Sequence, residues 1–175
     1  MDEKKLKSVL EALIFISSEP ISFESMRKVV PEASKRLIQI TLDELEREYG
    51  ARNRGFKLER VDGGYQFRSL TEVAPWIQTL KDLKPWRLSR AALETLAIVA
   101  YNQPATRIRI EQIRGVESSS SIKNLVEREL ISVVGRDDIP GRPLLYATTK
   151  TFLQVFGLNE LSDLPPLPDI EDVEL

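Results

Sequence analysis

Hydrophobic residues along the chain follow two rhythms, one helical and one extended, and the two alternate in the same order twice. Leu6, Val9, Leu10, Leu13 and Ile14 stand at i, i+3, i+4, i+7 and i+8, which predicts a first helix with one buried stripe. Phe15 and Ile16 widen the apolar surface beyond that stripe. Two explanations stand for them: a helix buried on several sides, or a flank that meets another chain. Pro20 ends the helix, and Ser22 caps a short second one carrying Phe23, Met26 and Val30. After Pro31, Ser34 caps a third, with Ile38, Leu42, Leu45 and Tyr49 on one face and Gly50 at its end. Phe56–Val61 and Tyr65–Leu70 then alternate with period two around Asp62-Gly63-Gly64, a hairpin signal.

Val73, Trp76, Ile77, Leu80 and Leu83 keep helical spacing, so residues 71–88 read as a docked connector helix that Pro85 stops, with Trp86 and Leu88 packed beside it. The first plan then recurs. Ser89 caps a helix with Leu93, Leu96, Ala97 and Ala100 inward, ended by Pro104. Thr106 caps a short one with Ile110 and Ile113 inward, ended by Gly115. Ser118–Ser121 lead into a third carrying Ile122, Leu125, Val126 and Leu130. A second hairpin, Leu130–Val134 and Leu144–Thr149, follows, and Phe152, Leu153 and Phe156 make a closing helix. Three helices and a hairpin, twice over, is a mainly α, α+β plan of two tandem winged-helix domains, each a helix-turn-helix with a β wing. The expected division is 1–70 for the N-terminal domain, 71–88 for the connector, 89–158 for the C-terminal domain and 159–175 for a tail. The repeat is architectural, with no matching residues between the halves.

Composition narrows the chemistry. With 175 residues and neither histidine nor cysteine, the chain has no typical zinc site, no thiol nucleophile and no Ser-His-Asp triad. No GxxxxGK[ST] or GxGxxG run is present to cradle phosphate. A carboxylate-only magnesium site or a carboxylate pair is the chemistry still open, with Asp137 and Asp138 in the second hairpin loop as its nearest candidates, but adjacent aspartates in a loop read first as a solvated turn. These absences argue against an enzyme and against a cofactor. No apolar run approaches the roughly 20 residues that span a bilayer, and the absence of cysteine fits a reducing compartment. Lys and Arg total 25 against 27 Asp and Glu, with no basic block to support strong nucleic-acid binding. The tail NELSDLPPLPDIEDVEL is acidic and proline-rich, and is expected to lack packed structure, at least beyond Pro168.

LSRAALETLAIVAYNQPATRIRIEQIRGV (88–116), followed by LVERELISVVGRDDIPGRPLLYATTKTFLQVFGLNELSDLPPLP (125–168), resembles the bacterial segregation and condensation protein B family. The GR-x-D-x-PGRP-x-LY-x-TT run is the most specific part. Four serines, Ser118–Ser121, stand where the family often has an acidic residue and a glycine. The resemblance implies a non-catalytic subunit that forms homodimers, largely through its N-terminal domain. The dimer would grip a kleisin subunit (segregation and condensation protein A), which bridges the heads of a structural-maintenance-of-chromosomes ATPase. The assembly would serve chromosome condensation, partition and cell division, in the cytoplasm at the nucleoid. On this reading Leu10, Ile14, Phe15 and Ile16 are the dimer-interface candidates, and Arg136, Arg142 and Tyr146 on the second hairpin are the partner-binding candidates. The alternative is a winged-helix DNA-binding transcription regulator, with Lys35 and Arg36 as its best DNA-facing residues. Glu117, Glu127 and Glu129 around the corresponding second-half helix oppose phosphate, so DNA contact is expected to be weak or indirect.

Overall fold

The computed structural model describes residues 2–51, 54–82 and 87–167. Its first half runs α1 (Glu3–Ile16), β1 (Ile21–Ser22), α2 (Phe23–Val29), α3 (Lys35–Ala51), β2 (Phe56–Val61) and β3 (Gly64–Ser69). The connector helix α4 (Ala74–Lys81) follows. The second half repeats the order as α5 (Arg90–Asn102), β4 (Ala105–Thr106), α6 (Arg107–Arg114), α7 (Ser119–Glu127), β5 (Ile131–Arg136) and β6 (Leu144–Thr148), closed by α8 (Lys150–Phe156). Each half is a winged helix with its own core. Leu6, Leu10 and Ile14 of α1 pack with Ile38, Leu42 and Leu45 of α3 in the first. Leu96 and Val99 of α5 pack with Ile110, Leu125 and Phe152 in the second.

Each wing is a three-stranded antiparallel sheet, ordered β1-β3-β2 and β4-β6-β5, where the sequence predicts only a hairpin. The extra strands are two residues long, too short for any periodicity to announce them. Each lies between a proline and a helix, as Pro20-Ile21-Ser22 and Pro104-Ala105-Thr106. The last residue of each both pairs in the sheet and caps the next helix. Ser25 N–H donates to Ser22 Oγ at 3.1 Å, and Arg109 N–H to Thr106 Oγ1 at 3.2 Å. The halves therefore do share a residue pattern, Pro-x-Ser/Thr, because one side chain must serve strand and helix at once. Gly64 pairs with Ser22, and a Cβ there would stand 2.9 Å from the backbone carbon of Pro20. Only glycine admits that approach.

Several expectations need correction. The second hairpin is Ile131–Arg136 with Leu144–Thr148, shifted from the predicted bounds, and it carries a bulge between Val133 and Gly135 that lengthens β5. Leu130 precedes that strand and Val126 is exposed, so neither continues the inward stripe of α7. On α5, Leu93 and Ala97 face outward, while Leu96 and Ala100 are buried. The connector does form a helix, but Trp76 is 72% and Leu80 85% exposed, so the stripe does not dock at these positions. Leu83, Pro85 and Trp86 lie outside the described residues. Ser118 is buried, its hydroxyl accepting from Arg114 Nη1 at 2.9 Å and its N–H donating to Glu111 Oε1 at 3.1 Å. It thus anchors the α6–α7 corner.

The halves meet where the turn of the first wing covers the end of α8. Asp62 N–H donates to the Leu158 carbonyl at 3.0 Å, and Gly63 N–H to the Asn159 carbonyl at 3.1 Å. Arg68 Nη1 reaches the Gln154 carbonyl at 2.8 Å, and Gln154 Nε2 reaches Asp62 Oδ2 at 3.2 Å. The first part of the tail is packed, contrary to expectation. A 3-10 turn at Leu161–Asp163 is closed by a capping box from Glu160, Leu164 lies on the second core, and the Pro165 carbonyl accepts from Tyr101 OH at 2.5 Å. Residues 168–175 lie outside the described residues. Among those described, no helix is long and apolar enough to cross a membrane.

Candidate functional site

The second wing is built by its own backbone chemistry. Pro140 fixes φ, Gly141 supplies a φ of +87°, and Arg142 N–H closes the type II turn on the Ile139 carbonyl at 2.9 Å. Below it, Asp137 N–H donates to the Pro143 carbonyl at 2.9 Å, and Asp138 N–H to Asp137 Oδ1 at 2.9 Å. Arg136 Nη1 donates to the Arg142 carbonyl at 3.0 Å, so one arginine ties down the backbone of the other. The Arg142 side chain is left exposed. The aspartates serve the turn, and no ion pair joins them to Arg136 or Arg142.

Tyr146 lies on the central strand of this sheet, opposite Val133 on one side and Ala105 on the other. It is half-buried, and its flank is open. Two cavities adjoin along Tyr146 and Arg107, the first residue of α6. One, of ≈ 350 Å³, runs toward the wing past Ile108, Leu144, Pro143 and Arg136. The other, of ≈ 420 Å³, runs toward α7 past Ile122, Lys123, Val126 and Val133. They form one trough with an aliphatic floor and a basic rim. Arg107 is steadied by Ser119, whose Oγ accepts from its Nη1 at 3.0 Å. Of the partner-binding candidates, Arg136 and Tyr146 therefore share a surface, while Arg142 stands at the wing tip and does not line it.

The trough residues Arg107, Val126 and Val133 are not marked as surface by the sequence, and Lys123 stands out there only as a basic residue near the start of its helix that could reach DNA bases. Val126 fits the apolar stripe of its helix and is read as core. The bulge beside Val133 is marked only by Gly135, which in the sequence reads as the start of the loop. The available signal is α7 itself, where Lys123 and Val126, three apart, share a face.

On α1 the candidates divide. Leu10 and Ile14 are 0% and 1% exposed and fill the first core, so they present no surface to a partner. This corrects their assignment as contact residues: a helix turns about 100° per residue, and one stripe cannot also be the outer flank. Phe15 and Ile16 are 76% and 74% exposed and adjoin at the C-terminal end of α1, next to a shallow depression that continues through Ser17 to Ile21.

Comparison with known proteins gives one family. Residues 8–167 match the family model described as segregation and condensation complex subunit ScpB. A segregation and condensation protein B from Syntrophotalea carbinolica is 44% identical over 99% of this chain and 87% of its own length. A segregation and condensation protein B homolog from Coxiella burnetii is 46% identical over 99% of this chain and 84% of its own. Among solved structures, ScpB from Mycobacterium tuberculosis is 34% identical and covers 90% of this chain and 98% of that one, with a TM-score of 0.43. A dimer of an ScpB N-terminal domain complexed with ScpA peptide is 27% identical and covers 44% of this chain and 95% of that one, with a TM-score of 0.41.

Proposed function

The chain belongs to the family of the segregation and condensation complex subunit ScpB, and we propose that it works as a non-catalytic, homodimeric subunit that holds the kleisin and through it serves the structural-maintenance-of-chromosomes ATPase in chromosome condensation and segregation. Residues 1–70 and 89–158 act as two winged-helix domains and 71–88 as their connector, in a protein that works at the nucleoid in the cytoplasm. The observation that carries the dimer is the adjacent pair Phe15 and Ile16, large apolar side chains held in water at the end of a helix that buries a single stripe, Leu6, Leu10 and Ile14. Covering both removes apolar area worth roughly 1.5–3 kcal/mol per side chain. The kleisin is met by the second wing, through Arg136, Arg142 and Tyr146; the turn holds the Arg136 guanidinium on the Arg142 carbonyl, and the sheet holds Tyr146 between Val133 and Ala105. The same wing offers no catalytic set: the Asp137 carboxylate accepts the Asp138 N–H within the turn, and the chain has no histidine or cysteine to act with either aspartate.

The test is the mass of the purified chain by sedimentation equilibrium at micromolar concentration. A dimer is expected, and Phe15→Glu or Ile16→Glu shifts it toward monomer with an unchanged circular dichroism spectrum. A wild-type monomer overturns the dimer, and a Glu variant that stays dimeric removes this flank from the interface.

A further inference from the structure

The trough beside the second wing has a chemical preference of its own. Its lining carries Arg107, Lys123 and Arg136 against one carboxylate, Glu127. Glu127 faces Lys123 across one helical turn at 3.8 Å, and Glu111, behind the rim, faces Arg107 at 3.9 Å. Arg136 donates one guanidinium nitrogen to the Arg142 carbonyl and forms no ion pair among the described residues, although Asp137 and Asp138 follow it in the loop, so of the three cations it is the one whose guanidinium has no carboxylate within ion-pair distance. The floor between these cations is aliphatic and aromatic, with Ile108, Val126 and Val133 exposed to solvent beside Tyr146. A polyanion with no apolar groups would leave that floor wet, and an uncharged apolar peptide would leave the cations unused.

We infer that the trough takes an acidic amphipathic segment of a partner protein, which sets one aliphatic side chain in each of the two cavities on either side of Tyr146 and its carboxylates against Arg107, Lys123 and Arg136. Charge complementarity selects an acidic strand or helix, and the floor selects one with alternating or helically spaced apolar residues. The inference rests on the reading of the second wing as a partner-binding element, and it adds the chemistry of what binds there. A basic segment would meet like charge at Arg107, Lys123 and Arg136, while Glu111 and Glu127 are already paired with Arg107 and Lys123 on their own helices.

Fluorescence anisotropy with the full chain tests it, using a labelled peptide of alternating leucine and glutamate, its leucine–lysine counterpart and a short duplex DNA as probes. The acidic peptide is expected to bind, weakening with added salt, and the Arg107→Glu/Arg136→Glu variant to bind it about tenfold more weakly. Both substitutions lie on exposed side chains, and an unchanged thermal melt shows that the variant is folded. Equal binding of acidic and basic peptides, stronger binding of duplex DNA, or an unaffected double variant each overturns the inference. A kleisin fragment run in parallel separates the two readings. If the double variant loses the acidic peptide but keeps the fragment, the trough assignment stands and the kleisin contact lies elsewhere. If neither probe binds the wild-type chain, both fall.

Discussion

Tyr49 shows how a single side chain ties two helices. It is buried at the end of α3, its hydroxyl donates to Glu11 of α1, and its ring stacks edge-on with Phe67 at 4.6 Å. Burial, with the Glu11 carboxylate close by, holds its phenol above the usual value near 10. The neutral phenol is thus favoured in the folded protein. Its contribution is fully present below the unfolded value and is lost as pH rises through the higher folded one. Tyr49→Phe is expected to cost about 1 kcal/mol at neutral pH and to flatten the alkaline loss of stability, as measured by denaturant titration from neutral to strongly alkaline pH. Residue identity was legible wherever it obeyed one rule: Ser22, Ser89 and Thr106 cap as expected, each accepting a backbone N–H. It was not legible where a residue sits at a pattern's edge. Leu10 and Phe15 are equally hydrophobic, and only the angle between them on the helix decides that one is core and the other surface.

Among the elements, the connector helix departs most from its sequence. A stripe at i, i+3, i+4 and i+7 asks for burial, yet α4 spans only Ala74–Lys81 and ends where Asp82 adopts a left-handed conformation with φ 49°. Two turns bury Ile77 in part and leave Trp76 and Leu80 in water. Trp76→Glu is therefore expected to change stability by less than about 0.5 kcal/mol, read from the thermal melt, whereas a docked indole would cost about 3–5 kcal/mol on truncation. The wings were legible as hairpins because strands of five or six residues are joined by loops that carry turn glycines. Their third strands were not, since two residues cannot establish a period. The trough depends on one of those short strands, because Ala105–Thr106 delivers Arg107 to the side of Tyr146. That explains why half of the site stayed hidden until the strands were paired.

At the scale of the molecule, two cores and two wings follow from the repeated order of elements, but their junction does not. Among the described residues its hydrogen bonds are two backbone bonds from the Asp62-Gly63 turn and those of the Arg68 and Gln154 side chains, groups that no hydrophobic pattern marks. A polar contact of this size holds an orientation without welding it. Replacing Arg68 and Gln154 together by alanine is expected to raise the radius of gyration in small-angle scattering while both cores stay folded by circular dichroism. An unchanged radius would place the restraint in the backbone bonds alone. The larger account, a dimer that meets the kleisin through the second wing, is tested most directly by sedimentation velocity. The purified chain is mixed in turn with a kleisin fragment and with duplex DNA at about physiological salt. The account predicts a faster boundary containing dimer and kleisin fragment, and no shift with DNA. A complex with DNA and none with the kleisin fragment would contradict it.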